Sequence, residues 1–165
     1  MSRNIYVISD THFGHDNVLR FKREDGSPVR PFTSTQEMND VIVQNWNSIV
    51  RDCDIVYHLG DVYYDQGHEV LSKLKGRKRL ILGNHDNAKS PNLQKYFQKI
   101  MMWRMFPEFD CVLSHVPLHE SSLNKVQYNL HGHIHEKQSP SPRHINCSVE
   151  VTEYKPVNIE DLIKR

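Results

Sequence analysis

The stretch ILGNHDNAKSP, residues 81–91, changes character abruptly after its first two residues. It begins as the end of an apolar run and continues with Gly83, Asn84, His85 and Asp86. These four residues add nothing to a hydrophobic core, whereas short apolar runs bounded by polar turns are typical of buried strands. The stretch therefore predicts a strand whose carboxyl end carries chemically active side chains.

The same change recurs at the ends of other apolar runs. The sequences there are SDTH at 9–12, LGD at 59–61, SH at 114–115 and HGHIH at 131–135. In α/β proteins, ligands gather outside the carboxyl ends of the strands, because the sheet holds the loops that carry the chemistry. We therefore expect one shared rim of metal-binding groups. Its candidate members are Asp10, His12, Asp61, Asn84, His85, His115, His133 and His135.

Short runs rich in Val, Ile and Tyr predict strands, and helical patterns separate several of them. The predicted strands are 4–9, 54–59, 79–82, 110–114, 126–130 and 143–151. The predicted helices are 35–51, a short one at 70–74 ended by Gly76, one from Ser90 through Ile100, and one after Asn158. This alternation predicts an α/β fold with a largely parallel sheet. The helix-poor later strands are expected to be antiparallel or to form a second sheet.

Composition and charge limit the classes of protein to consider. With 165 residues, 38% apolar and 25% charged, the chain is expected to form one domain, residues 1–165. Lys plus Arg number 21 and Asp plus Glu 20, so no strong field favours nucleic acid or an anionic membrane as a partner. The apolar run near the N-terminus is too short for a signal peptide or a membrane span. A cytoplasmic location is therefore expected.

The residue types of the predicted rim favour particular ions. Imidazoles and carboxylates without thiolates favour manganese, iron, zinc or nickel, and so many imidazoles disfavour magnesium and calcium. The aspartates, histidines and amide of the rim exceed the needs of one tetrahedral ion. Two divalent ions sharing one carboxylate are the simpler arrangement, with manganese as the expected metal. Their charge exceeds that of the carboxylates and a bridging hydroxide, so such a site should attract phosphate.

Taken in order, these motifs resemble a known signature. The set Asp-x-His at 10–12, Gly-Asp at 60–61, Gly-Asn-His-Asp at 83–86, Ser-His at 114–115 and Gly-His-x-His at 132–135 is similar to that of the calcineurin-like metallophosphoesterases. The resemblance implies a four-layer α/β/β/α sandwich of two mixed sheets flanked by helices. It also implies phosphoester hydrolysis by in-line attack of a metal-bridging hydroxide, with a histidine as general acid.

The resemblance also implies a role for each member of the rim. The first of two ions would be held by Asp10, His12, Asp61 and His135. The second ion would be held by Asp61, Asn84, His115 and His133. Asp61 would thus bridge the two ions. His85 would face the substrate beside Asn84 and protonate the leaving group, and Asp86 would orient and charge His85.

One long polar segment, residues 16–34, interrupts the alternation of strands and helices. Long ordered loops in compact domains tend to be functional, and a plain surface excursion is the alternative. Arg20 and Arg30 lie in this segment and are candidates for binding a substrate phosphate or nucleotide. A solvated surface position is the alternative for both arginines.

The substrate class follows from one departure from the family pattern. The protein phosphatases that share this core carry an Arg where Gln66 stands, so phosphoproteins are disfavoured and small phosphodiesters or nucleotides are expected. A nuclease acting on RNA or DNA is one alternative, although the near-zero net charge makes it less expected. A protein-binding scaffold that has lost the chemistry is another. Such a scaffold lacks the histidine that His85 supplies here.

Several other features have structural explanations. The stretch 96–109 is rich in aromatic residues and methionine and is expected to be core or a hydrophobic cap, with a homodimer surface as the alternative. His58 and His131 lie in or at the ends of strand runs and are expected to be packed, hydrogen-bonded imidazoles. The cysteines form no CxxC pattern and are expected to be buried free thiols.

Overall fold

Two mixed β-sheets form the centre of the molecule. The structure, a computed structural model, describes residues 3–164, so positions 1, 2 and 165 of the predicted domain lie outside the described residues. The strands are β1 Ile5–Ile8, β2 Ile55–His58, β3 Arg77–Ile81, β4 Lys99–Met101, β5 Trp103–Phe106, β6 Cys111–Ser114, β7 Tyr128–His131, β8 His144–Asn146 and β9 Val157–Asn158. One sheet has the order β4-β3-β2-β1-β9 and the other the order β5-β6-β7-β8.

Strand direction differs between the centre and one edge of each sheet. In the first sheet β1 to β4 are parallel, and β9 runs antiparallel to β1. In the second sheet β6, β7 and β8 are parallel, and β5 is antiparallel to β6. The helix-poor later strands thus form a second sheet, as one of the two expectations had it. The other expectation, that these strands are antiparallel, is wrong for β6 to β8. Long loops, instead of α-helices, make the crossovers that these parallel pairs require.

Helices begin where the sequence places a capping residue. The α-helices are α1 Thr35–Ile49, α2 Pro91–Tyr96 and α3 Ile159–Ile163, and 3-10 helices cover Asp16–Arg20, Asp65–Lys73, Pro107–Phe109 and Glu120–Ser122. The Ser34 side chain accepts a hydrogen bond from the backbone N–H of Glu37 at the start of α1, as a capping residue does.

Three boundaries differ from those predicted. The short helix expected at 70–74 overlaps the 3-10 helix Asp65–Lys73, which begins five residues earlier and has Leu74 as its C-cap. Ile100 lies in β4 instead of extending α2. The strand expected at 143–151 is restricted to β8, and turns follow Cys147 and Ser148.

The core lies on both faces of the first sheet. Met38, Ile42 and Trp46 of α1 are fully buried in one cluster with Ile8 and Val56. A second cluster fills the space between the sheets and includes Val7, Tyr57, Ile81, Leu113 and Leu130. Burying each such side chain contributes about 1.5–3 kcal/mol relative to leaving it exposed. These contacts hold the carboxyl ends of both sets of parallel strands in fixed positions.

The outer face of the second sheet has a thinner cover. A small cluster there joins Val112, Leu123 and Val126, next to the short 3-10 helix Glu120–Ser122. The stretch 96–109 was predicted to be core or a hydrophobic cap. Phe106 is 2% exposed and packs in the core between the sheets, whereas Met102 and Trp103 are 67% and 59% exposed and are not part of a core. Within residues 3–164, no helix combines the length and apolar character needed to cross a bilayer.

Candidate metal centre

The predicted rim forms where the carboxyl ends of the two sheets meet. Its members follow five parallel strands: Asp10 and His12 come after β1, Asp61 after β2, Asn84 after β3, His115 after β6, and His133 and His135 after β7. The first-sheet carboxylates Asp10 and Asp61 are buried, and His133 is exposed. The rim therefore has a buried, acidic floor, and the His133 imidazole faces solvent.

Six of the predicted ligands form two groups of metal-binding size. Asp10, His12 and His135 form one group, and Asp61, His115 and His133 form the other, with the ligand atoms of each group within 4.8 Å of one another. We call them the first and second cluster. Asn84 joins the second cluster, since its Oδ1 lies 2.9 Å from Nε2 of His115 and 3.0 Å from Nδ1 of His133.

Asp61 connects the two clusters through one oxygen. Its Oδ2 lies 3.7 Å from Nε2 of His12 and 3.4 Å from Nε2 of His115. Its other oxygen, Oδ1, accepts a hydrogen bond from the backbone N–H of His85 at 3.0 Å. The carboxylate is thus fixed on one side and directed between the two clusters on the other.

The first cluster contains two buried polar atoms that a cation would satisfy. Oδ1 of Asp10 and Nε2 of His12 lie 3.7 Å apart, and neither has a hydrogen-bond partner among the described residues. Leaving such buried atoms unpaired is costly. A divalent ion coordinated by both would remove that cost, and the donor types match those of manganese, iron, zinc or nickel.

Neighbouring groups fix the histidine rings in the tautomer that metal binding requires. Nδ1 of His115 donates to the backbone carbonyl of Leu59 at 2.7 Å, and Nδ1 of His135 pairs with the Glu150 carboxylate at 2.8 Å. Both rings therefore direct Nε2 away from these partners and toward the clusters. Such outer hydrogen bonds orient metal-binding imidazoles in many proteins.

The charges at the rim shift pKa values in opposing directions. Burial opposes ionisation of Asp10, but nearby His12, His115 and His135 hold the pKa of that carboxyl well below its usual range. Burial likewise opposes protonation of His115, yet the adjacent Asp61 carboxylate outweighs it and raises the pKa of this imidazole. A positive charge is thus favoured next to Asp61. A metal ion would supply that charge without protonation of His115.

Most of the ligand residues have a backbone conformation that L-residues rarely adopt. Positive φ angles of 50° to 72° occur at Asp10, His12, Asp61, His133 and His135. Such strained residues cluster at functional sites, where the surrounding structure holds them. Gly132 permits the approach of two such loops, because a Cβ at this position would collide with Oδ2 of Asp10 and Oγ of Ser9.

Asp86 has a different set of contacts from the one predicted. Its carboxylate accepts hydrogen bonds from the backbone N–H groups of Asp61, Val62 and Gly83 at 2.8–3.0 Å. No hydrogen bond between Asp86 and the His85 ring is present in residues 3–164. The expected orienting role is therefore wrong for this geometry: Asp86 joins the loop after β3 to the loop that carries Asp61.

Arg30 is also in a different place from the one expected of a substrate-binding residue. Its side chain is fully buried and donates to the backbone carbonyls of Thr11 and Asp10. It also forms an ion pair with Glu150 at 2.7 Å. The prediction of phosphate contact is wrong because every donor group of this guanidinium faces protein atoms. Arg30 instead supports the strained loop that carries the first ligands.

Glu150 is a candidate functional residue that no sequence motif indicated. Its buried carboxylate pairs with both His135 and Arg30, and Arg30 lowers its pKa although burial opposes ionisation. A glutamate fifteen residues after a histidine has no recognisable spacing, so no motif indicated it. The loop 16–34 thus contributes to the rim through Arg30, and Arg20 lies exposed on the 3-10 helix Asp16–Arg20, where its substrate contact stays a prediction.

Aromatic rings line the solvent side of the first cluster. The rings of His15 and Tyr64 stack at 3.8 Å, and His15 pairs with Nδ1 of His12 at 3.1 Å. Burial, followed by the charges of His12 and Arg30, lowers the pKa of His15 to about 4. A neutral His15 can accept the Nδ1 proton of His12, which leaves Nε2 of His12 free for an ion.

The two histidines expected to be structural are packed as predicted. His58 is buried, bonds Oγ1 of Thr11 at 2.9 Å, and accepts from the backbone N–H of Gly60. His131 is buried and pairs with the backbone carbonyl of Gly132. Cys111 and Cys147 are buried free thiols, whereas Cys53 is exposed, so the expectation is wrong for Cys53 alone.

Comparison with known proteins gives a consistent result. A family model described as calcineurin-like phosphoesterase matches residues 3–165. The chain is 36% identical to an uncharacterized protein of Methanocaldococcus jannaschii, over 98% of this chain and 90% of that protein. It is 28% identical to the gene 66 protein of Mycobacterium phage L5, over 87% of this chain and 82% of the phage protein.

Solved structures share the fold. A protein of unknown function from Aquifex aeolicus superposes with a TM-score of 0.80 at 26% identity, and 99% of each chain is covered. Vps29 of Chaetomium thermophilum superposes with a TM-score of 0.50 at 9% identity, over 90% of this chain and 75% of that one, and this likeness concerns the fold alone. On the family match over nearly its whole length, the chain belongs to the calcineurin-like phosphoesterase family.

Proposed function

We propose that this protein is a dinuclear metal-dependent phosphoesterase acting on small phosphodiesters or nucleotides. The observation that carries the proposal is the position of Asp61 Oδ2, which lies 3.7 Å from His12 and 3.4 Å from His115. One carboxylate oxygen facing both clusters is the arrangement that a bridging ligand needs. Asp61 would therefore share its oxygen between two ions, with manganese as the metal we propose.

Bound metal ions would activate the nucleophile and neutralise charge, and the protein's residues would hold and orient the ions. Two divalent ions about 3.5–4 Å apart lower the pKa of a shared water and neutralise charge on a phosphoryl group. The protein's part is to hold Asp10 and Asp61 ionised in a buried position and to keep Nε2 of His115 and of His135 directed inward. The hydrogen bonds that these two rings donate to the Leu59 carbonyl and the Glu150 carboxylate support that role.

His85 is the proposed proton donor to the leaving group. Its side chain is exposed at the mouth of the rim, and its ring lies 6.2 Å from the His12 ring and 5.4 Å from the Tyr64 ring. Its backbone N–H donates to Oδ1 of Asp61, so the backbone of His85 is held next to the proposed bridging carboxylate. Tyr64 stays neutral beside it, because burial and then Asp61 raise its pKa to about 12.

A substrate panel tests the proposal. The protein reconstituted with manganese should hydrolyse phosphodiesters, including cyclic nucleotides. Its activity toward phosphomonoesters should be lower than its activity toward phosphodiesters. Asp61→Asn should abolish that turnover, because it removes charge from the shared oxygen. A folded, manganese-loaded protein that hydrolyses none of these esters would contradict the proposal and favour the scaffold alternative, whereas salt-sensitive cleavage of oligonucleotides alone would favour the nuclease.

A further inference from the structure

An apolar cavity of about 530 Å³ opens directly beside the second cluster. Its walls include Gly83, Asn84 and His115, which come from the loops of the candidate metal centre. Its volume lies within the range of about 300–1,000 Å³ that is usual for small-molecule pockets. The cavity and the second cluster therefore share residues, so one small molecule can contact both.

Strand register explains why the floor of this cavity is apolar. Trp103 pairs with Ser114 and Met105 pairs with Val112 across β5 and β6, and all four residues line the cavity. Side chains alternate between the two faces of a strand. Leu113, in between, points into the core that lies between the sheets. The cavity thus lies on the thinly covered outer face of the second sheet.

The lining has the chemistry of a hydrophobic binding site. No Asp, Glu, Lys or Arg side chain lines the cavity within the described part of the chain. The Ser114 hydroxyl is already engaged, since it donates to the carbonyl of Val116 and accepts from the side chain of Asn129. Few polar groups are therefore free to pair with an occupant, and an uncharged apolar group fits this surface best.

Large apolar side chains are exposed around the mouth of the cavity. Met102, Trp103 and Val116 are 67%, 59% and 43% exposed, and all three line it. A contiguous exposed apolar patch next to a polar rim is typical of a ligand-binding groove. Trp103 offers a flat ring and Met102 a flexible thioether, which together can cover occupants of varied shape.

We propose that this cavity holds an uncharged hydrophobic ester group of the substrate while its phosphoryl group lies at the metal centre. The proposal rests on the phosphoesterase function proposed above, and among the small phosphodiesters of that proposal it favours those with an apolar alkyl or aryl group. The shared residues Asn84 and His115 carry the argument, because a phosphoryl group bound beside them would lie at the edge of this apolar cavity, into which its ester group can extend. The occupant is thus part of a small substrate and does not need to be a protein.

Binding of phosphonates to the manganese-loaded protein tests this proposal without turnover, because their C–P bond is not a phosphoester. Isothermal titration calorimetry would compare methylphosphonate, hexylphosphonate and phenylphosphonate. Each buried methylene strengthens binding about fourfold, so partial burial of the hexyl chain should tighten binding about 10- to 100-fold over methyl. Phenylphosphonate reports whether a ring is held as well as a chain.

Trp103→Ser should reduce the ratio of hexyl to methyl affinity about tenfold, because it removes a large part of the apolar wall. Val151→Ser is the matched control, since Val151 is 45% exposed but lies outside this cavity, and it should keep the wild-type ratio. Equal affinities for all three phosphonates, or a hexyl preference that survives Trp103→Ser, would overturn the cavity proposal while metal-dependent methylphosphonate binding still supports the metal centre. Absence of methylphosphonate binding together with absence of turnover would instead count against the proposed function.

Discussion

Nδ1 of His135 lies 2.8 Å from Oε1 of Glu150, a carboxylate buried outside the candidate metal centre. The same oxygen lies 2.7 Å from the guanidinium of Arg30, which also donates to the backbone of Asp10 and Thr11. A ligand from the second sheet and the ligand loop of the first sheet are thereby joined through one ion pair. Glu150 and Arg30 are therefore positioning residues for the first cluster.

The variant Glu150→Gln should weaken manganese binding at the first cluster about 10- to 100-fold. Loss of the outer carboxylate lowers the basicity of the His135 imidazole and leaves the ring less firmly oriented. Binding at the second cluster should change little. Titration of the metal-free protein with manganese measures both steps. Glu153→Gln is the control, since the Glu153 side chain is 80% exposed. Unchanged affinity at both steps in Glu150→Gln would show that the contact does not position His135.

The variant His85→Ala should bind manganese normally and turn over about 10²- to 10⁴-fold more slowly, the range expected for loss of a general acid. The ring contributes no atom to either cluster, so metal content should be preserved. Elemental analysis and steady-state kinetics measure the two quantities. His119→Ala, which removes an exposed histidine outside the rim, should retain full activity. Loss of bound metal in His85→Ala would argue that His85 is a ligand and not a proton donor.

The variant Asp86→Ala should lower the free energy of unfolding by on the order of 3 kcal/mol, because three backbone N–H groups would lose a charged acceptor. These groups belong to Asp61, Val62 and Gly83. Denaturant unfolding of the metal-free protein isolates this effect from metal binding. Asp52→Ala, which changes an exposed aspartate, is the control. A loss no larger than that of the control would mean that the loop does not depend on Asp86.

The Asp54 carboxyl should make the stability of the folded protein depend on pH. The Arg51 side chain holds the pKa of the Asp54 carboxyl well below its ordinary 3.8, and backbone N–H groups of Arg51 and Asn4 act in the same direction. A lowered pKa contributes stability that is complete above the unfolded value and is lost as the pH falls toward the folded value. The difference in melting temperature between wild type and Asp54→Asn should therefore be largest near neutral pH and shrink toward about pH 2.

Thermal denaturation across that range measures the difference, and Asp52→Asn is the control because Asp52 is exposed on the same turn. A difference that is constant from neutral to acidic pH would mean that Asp54 contributes through packing and not through its charge.

The sequence predicted the members of the rim because their positions follow from the chain alone. An apolar run followed by Asp10 or Asn84 marks a strand end, and parallel strands bring such ends to one edge of a sheet. The capping residues Ser34 and Ser90 likewise lie where α1 and α2 begin, since each accepts its hydrogen bond from a backbone N–H three residues later. Features that depend on residues close together in the sequence can therefore be predicted from the sequence.

The residues that hold the rim in place cannot be predicted from the sequence in the same way. Arg30 was expected at the surface, because nothing near it in sequence reveals a buried carboxylate 120 residues away. Asp86 stands next to His85, yet its partners are backbone amides whose direction depends on the fold. Exposure of Met102 and Trp103 also depends on what covers the second sheet, and residue type alone does not determine this.

Anomalous diffraction from crystals of the protein grown with manganese tests the central claim most directly. We predict two peaks, one among Asp10, His12 and His135 and one among Asn84, His115 and His133, with Asp61 between them. The separation should be about 3.5–4 Å. A single peak, or two peaks that do not share Asp61, would contradict the account.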